Sequence, residues 1–319
     1  MLISFRGKDA LRPKILLNGH VDVVPAEGTE QFELRVEGNR AYGRGTMDMK
    51  GMVAVLLEVM LELGAADNPP DVALLLSGDE EVGGKNGAGY CVQEFGLRPQ
   101  FVLCADGAQE DRMQFTVKEK GVLWVQITAQ GKTAHGAHPW EGENAIEKLF
   151  GAIGKIQEFV GEIDPEAWKS TVNVGIVETE NKTPNKVPAQ ARAVLDIRFT
   201  EELAKTPQEL LVAIQKLTPD VEVQATEMAS MLFSQENNPF FIAFKKAAEK
   251  IVGQEIKTGF GHGSTDARYF AEVGIPTVVF GAIGQGMHAT EEWVSLESLV
   301  QNKRILLDFL KDIDNISDF

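Results

Sequence analysis

Short, continuous apolar runs punctuate the chain: Ile15-Leu16-Leu17, Val72-Ala73-Leu74-Leu75-Leu76, Phe101-Val102-Leu103 and Thr277-Val278-Val279-Phe280, each followed by Gly or acidic residues. Strands buried on both faces read this way, because neither side needs a polar surface. Between the first two runs, residues 52–63 are apolar nearly all round except Glu58 and Glu62, and Gly64 stands where a helix would end. Strands alternating with helices predict an α/β fold on a mostly parallel sheet with helices on both faces.

The middle of the chain reads differently. Residues 122–129 alternate apolar and polar side chains, 144–160 have a helical pattern, 171–177 and 191–199 read as strands, 206–217 as a helix and 221–225 as a last strand. The order β-α-β-β-α-β is that of a ferredoxin-like unit, an antiparallel sheet with two helices on one face. This predicts an inserted domain over 116–229, between catalytic segments 1–115 and 230–319, the latter resuming with a helix over 238–252.

Composition changes the picture only at its margins. With 319 residues, 44% hydrophobic and 24% charged, the chain is long enough for two globular domains. A formal net charge of −16 repels phosphate backbones and anionic membranes, so neither nucleic acid nor a membrane is an expected partner. Cys91 and Cys104 make no disulfide framework, and Cys104 inside an apolar run reads as a buried thiol. Arg6 interrupts the N-terminus before a signal-length stretch develops, and no window reaches the roughly 18 apolar residues of a membrane span. The expected compartment is the cytoplasm.

The chemistry concentrates where strands end. Glu80-Glu81 follows the Val72 run, His20-Val21-Asp22 follows the Ile15 run, Asp106 follows the Phe101 run, His288 lies beyond the Thr277 run, and Asp48 directly precedes the buried helix. In an open parallel sheet these positions share one rim. Such donors suit a two-metal hydrolase, whose cations sit about 3.5 to 4 Å apart. Asp48 has no acidic neighbour and is assigned the bridge; one of the Glu pair would bind metal while the other takes a proton. Asp22 is placed to orient the His20 ring. Residues Gly78 to Lys85 miss phosphate-loop spacing by one and carry three acids, and Gly261-His262-Gly263-Ser264-Thr265 is not a serine-hydrolase elbow. His138 and His262 read as surface or packing histidines.

Together, Asn18-Gly19-His20-Val21-Asp22, Gly43-Arg44-Gly45 through Lys50-Gly51, Asp79-Glu80-Glu81-Val82-Gly83, Gly131-Lys132-Thr133-Ala134-His135, Asn185-Lys186-Val187-Pro188 and Met287-His288 resemble the di-zinc family of acetylornithine deacetylase, succinyl-diaminopimelate desuccinylase and aminoacylase. Its relatives include glutamate carboxypeptidase and dipeptidases. The resemblance implies one zinc (cobalt or manganese being possible) on His20, Asp48 and Asp106, and a second on Asp48, Glu81 and His288. Glu80 would be the general acid/base for attack by a metal-bridging water on an amide. The inserted domain would be a lid that pairs two subunits, with His135 lent to the partner's site, Asn185 near the substrate and Arg198 clamping its carboxylate. A cis peptide is implied after Asp48.

Some residues depart from that pattern. The family has a further helix and strand ahead of the His20 strand, whereas Met1 stands almost inside it; Glu180-Asn181 replaces a Gly-Gly; and Asp106 stands where many deacylases have Glu and several dipeptidases have Asp. The expected substrate is an N-acyl amino acid, with a dipeptide as the alternative and a catalytically silent binding protein as the third reading.

Overall fold

The computed structural model describes residues 1–5 and 7–316. The chain divides into two compact units, one of Met1–Glu119, Leu232–Gly261 and the chain from Thr265 onward, the other of Lys120–Met231 with His262–Ser264.

The described residues of the first unit form an eight-stranded mixed sheet in the order Leu2–Ser4, Val72–Ser77, Ile15–His20, Phe101–Cys104, Thr277–Val279, Phe115–Glu119, Leu232–Phe233, with Thr258–Gly261 also on Phe115–Glu119. Its centre is parallel. The mostly parallel expectation fails at the margins, where Leu2–Ser4 and Leu232–Phe233 pair antiparallel and Phe115–Glu119 runs antiparallel to Thr277–Val279. Hydropathy marks a strand as buried but carries no direction; the path of the connections decides that.

Alternation within the apolar runs sends side chains to opposite faces. Leu17, Leu74 and Leu103 pack with Leu56, Phe244 and Leu306 of helices Gly51–Gly64, Pro239–Val252 and Leu296–Leu310. Leu16, Leu75 and Val102 pack on the other face against Val92 and Phe270. Helix Pro239–Val252 starts where Asn238 accepts from the Phe240 amide with Pro at its first turn, and it stops at Gly253, whose φ of 79° suits glycine. A small sheet, Gly284–Gln285, Trp293–Ser295, Arg40–Tyr42 and Arg35–Glu37, has no hydropathy signal. It brings the loops around Asp48 and His288 side by side.

In the second unit four antiparallel strands run in the order Glu222–Ala229, Gly121–Gln130, Gln190–Phe199, Thr171–Thr179. Leu123, Val125 and Ile127 pack against Leu149 and Ile153 of helix Ala145–Val160 and Leu210 and Ile214 of helix Pro207–Leu217. No described helix is long and apolar enough to cross a membrane.

Candidate metal centre

Each candidate side chain sits at a strand end or a tight turn. His20 ends its strand at 1% exposure, and Asp48 lies in the turn Thr46–Lys50 ahead of the buried helix, at 7%. The Asp48–Met49 peptide is cis. Glu80 and Glu81 form a single helical turn after Val72–Ser77, and Asp106 follows Phe101–Cys104 by two residues. His288 holds φ at 63°, a left-handed backbone uncommon outside glycine.

These residues converge. Asp48 Oδ1 lies 2.9 Å from His20 Nε2, and Asp48 Oδ2 lies 3.1 Å from His288 Nε2. Glu81 Oε2 is 3.1 Å from the same His288 nitrogen, and Asp106 Oδ2 is 3.9 Å from His20 Nε2. Donor atoms of His20, Asp48 and Glu81 fall within 4.8 Å of one another, as do those of His20, Glu80 and Asp106. The Glu pair therefore divides between two groups that share His20.

Asp22 ties the rim together. His20 Nδ1 lies 3.1 Å from the Asp22 carbonyl and 3.4 Å from its carboxylate, which also accepts the amides of Glu80 at 3.3 Å and Glu81 at 3.0 Å. Sequence reasoning missed Glu292. Its buried carboxylate accepts from Arg44 at 2.8 Å and from the amides of Gly45, Met47 and Asp48 at 2.9, 2.9 and 3.2 Å, while Arg44 also donates to the His288 carbonyl at 3.3 Å. Beside exposed Glu291 it reads as half of an acidic turn; the signal was its spacing of four from His288.

His135, Asn185 and Arg198 belong to the second unit. There, His135 bridges to Lys186, and the Gly136 amide donates to the Asn185 carbonyl at 2.7 Å, so the His135 and Asn185 segments are neighbours. Arg198 forks onto the Asp196 carboxylate at 2.8 and 3.0 Å. His138 is exposed, with its ring 5.7 Å from that of His135, and His262 Nε2 lies 2.9 Å from the Pro165 carbonyl.

Residues 16–312 match the model of Peptidase family M20/M25/M40. The chain belongs to this family. It is 29% identical over 311 residues to a succinyl-diaminopimelate desuccinylase of Acidiphilium cryptum, covering 93% of this chain and 82% of that one. It is 30% identical over 313 residues to the desuccinylase of Methylobacterium nodulans, covering 90% and 77%. Its fold is similar to aminopeptidase PepT from Bacillus cereus, with a TM-score of 0.76 at 22% identity over 98% of this chain and 83% of that chain. The metallo-carboxypeptidase Sso-CP2 from Sulfolobus solfataricus gives 0.79 at 20% identity over 98% and 87%. This M20 hydrolase is a metal-dependent enzyme.

The donor set fits a divalent cation. Two imidazoles and several carboxylates crowd together, His20 and Asp48 buried and His288 exposed, and in a protein without cations protons must balance the charge. Burial opposes a charged His20, yet its hydrogen bond to Asp48 and the charges of Asp106 and Glu80 outweigh it, raising the ring to about 10. Hydrogen bonds to Asp48 and Glu81 lift His288 to about 10 as well. Burial also resists charging Asp48, but both imidazoles hold it below the carboxylate range. Asp106 is pushed well up by burial and by Asp48, and Glu80 rises to about 8 through burial and the charge of Asp266.

Cations must therefore displace protons. Loading the metal-free M20 hydrolase with zinc at pH 7 is expected to release at least two protons per chain, those of His20 and His288, with Asp106 adding to them, measured as the dependence of binding enthalpy on buffer ionisation enthalpy; release near zero contradicts it. Both imidazoles are raised above the ordinary 6.5. The stability they lend the metal-free fold is thus complete below pH 6.5 and lost as pH climbs toward 10.

Proposed function

We propose that this M20 hydrolase removes an acyl group from N-acyl amino acids, using two divalent cations, zinc foremost. His20, Asp48 and Asp106 would hold one, and Asp48, Glu81 and His288 the other. The observation that carries the reading is the division of the Glu pair: Glu81 faces His288, whereas Glu80 groups with His20 and Asp106. When bound, the cations supply Lewis acidity to polarise the amide carbonyl and acidify water. Glu80, a half-buried carboxyl that the two proposed ligand sets leave free, takes the proton from attacking water and returns it to the leaving amine. Asp22 keeps the His20 ring in one orientation throughout, and Arg44 with Glu292 keeps the Asp48 and His288 loops in register.

In this reading the Lys120–Met231 unit is a ferredoxin-like lid that also pairs two subunits. Strand Thr171–Thr179 supports that, because it is the outer strand of its sheet and exposes Ile176 at 45% and Val177 at 49%. His135 would be lent to the partner's site to steady the oxyanion, with Asn185 beside it. Arg198 would clamp the substrate carboxylate, since its fork already fits the carboxylate of Asp196. Arg198→Lys is expected to raise KM for carboxylate-bearing substrates by about tenfold, the loss of roughly one charged hydrogen bond, with bound metal unchanged; equal KM values would remove the clamp. The free thiols of Cys91 and Cys104 support a reducing, cytoplasmic setting.

A second reading, dipeptidase or carboxypeptidase, is favoured by Asp106, which stands where several dipeptidases of the resembling family have Asp. Hydrolysis rates on acetyl- and succinyl-amino acids beside a dipeptide panel, with zinc, cobalt or manganese added, separate the two. Preference for dipeptides overturns the deacylase reading, and tight metal binding with no hydrolysis of any substrate overturns both.

A further inference from the structure

The turn that carries Glu80 and Glu81 is held from outside the metal cluster, at both of its ends. At its start the Ser77 hydroxyl donates to Asp266 Oδ2 at 2.6 Å. At its end the Gly83 carbonyl accepts from Arg268 Nη2 at 2.6 Å and from the Tyr269 hydroxyl at 2.5 Å. Asp266, Arg268 and Tyr269 all come from the start of helix Ala267–Glu272.

Asp266 and Arg268 are only 3% and 5% exposed, an expensive placement for charged groups. Local backbone does not explain the Asp266 carboxylate, because its Oδ1 has no hydrogen-bond donor among the described residues. The approach of the turn to it is tight. A Cβ on Gly84 would stand 2.1 Å from Oδ1, and Gly84 holds φ at +63°, so glycine alone closes the turn against this carboxylate without strain. Between the two anchored ends the Asp22 carboxylate grips the amides of Glu80 and Glu81, and the Asp79 carboxylate ties the turn to the amides of Asn86 and Gly87.

We propose that Asp266 and Arg268 are positioning residues for hydrolysis: by fixing Ser77 and Gly83 they keep the Glu80-Glu81 turn in the one geometry that sends its two carboxylates to different partners. Adjacent side chains on a short turn swing together, so a tilt that moves Glu80 toward Glu81's partners withdraws the proton carrier, and a misplacement of about 1 Å is enough to cost on the order of 10²-fold. This inference rests on the reading of Glu80 as that carrier.

The test compares Asp266→Ala, Ser77→Ala, the double variant and Asp266→Asn with wild type and with Glu80→Gln, all zinc-loaded, on whichever N-acyl amino acid or dipeptide wild type hydrolyses best. At saturating zinc, Asp266→Ala and Ser77→Ala should each lower kcat by about 10- to 100-fold, with KM within about threefold. The double variant should lose no more than Asp266→Ala, since both remove one hydrogen bond. Asp266→Asn, which keeps an oxygen for Ser77, should recover most of the rate. Hydrogen exchange on the metal-free variants should quicken in residues 78–84 alone.

Wild-type kcat in both alanine variants, additive losses, a rate fully restored by added zinc, or faster exchange across the whole first unit would each overturn the clamp. Should Glu80→Gln retain wild-type kcat, the reading of Glu80 fails instead, and the exchange pattern still decides whether the turn is clamped.

Discussion

Glu80→Gln is expected to lower turnover by on the order of 10² to 10⁴ while leaving zinc content at the wild-type level. The amide keeps the size and polarity of the side chain, so the turn should keep its shape; what it loses is the ability to accept a proton. Glu80 is suited to that task by surroundings that favour its protonated form, burial first and then the charge of Asp266. Turnover and metal content measured on the same preparation check the claim. Unchanged turnover would remove Glu80 from the mechanism, and parallel loss of zinc would make it a ligand.

Asp48→Asn should be harsher on the metal and equally harsh on the rate. Both carboxylate oxygens of Asp48 are engaged, one toward His20 at 2.9 Å and the other toward His288 at 3.1 Å, at 7% exposure. An amide presents one oxygen and one nitrogen and carries no charge, so it cannot serve two cations. Metal affinity is expected to fall by more than about 10²-fold, beyond the range typical of losing a supporting partner. Activity should vanish at zinc concentrations that saturate wild type. Dialysis against a chelator followed by zinc, cobalt or manganese should restore wild type and leave Asp48→Asn inactive. An Asp48→Asn protein that binds two equivalents of zinc tightly would disprove the bridging assignment.

The two predictions differ in what they separate. One leaves the metals and removes the proton carrier; the other removes the metals and leaves the carrier, which is why metal content has to accompany every rate.

Much of this molecule is readable from its sequence, for a physical reason. Strands Ile15–His20, Val72–Ser77 and Phe101–Cys104 are buried along their whole length, and helix Pro239–Val252 has Asn238 and Pro239 at its start and Gly253 at its end. Burial on both faces and helix capping are written in consecutive residues, so one chain suffices to see them. The motif residues His20, Asp48, Glu81, Asp106 and His288 are legible too, because their spacing from apolar runs places them at strand ends and beside one buried helix.

What lay beyond the sequence is whatever depends on partners distant along the chain. Strand direction at the sheet margins is one case, since Leu232–Phe233 is too short for its pattern to say how it pairs. Glu292 is another: only folding shows that it receives three backbone amides and Arg44, some 245 residues away, and so sets the Asp48 turn. The split of Glu80 from Glu81 is the sharpest, because adjacent identical residues have no local feature to tell them apart. Composition and spacing determined that acids and imidazoles would gather on one rim; the tertiary structure, through hydrogen bonds of long sequence separation, decided which carboxylate faces which neighbour.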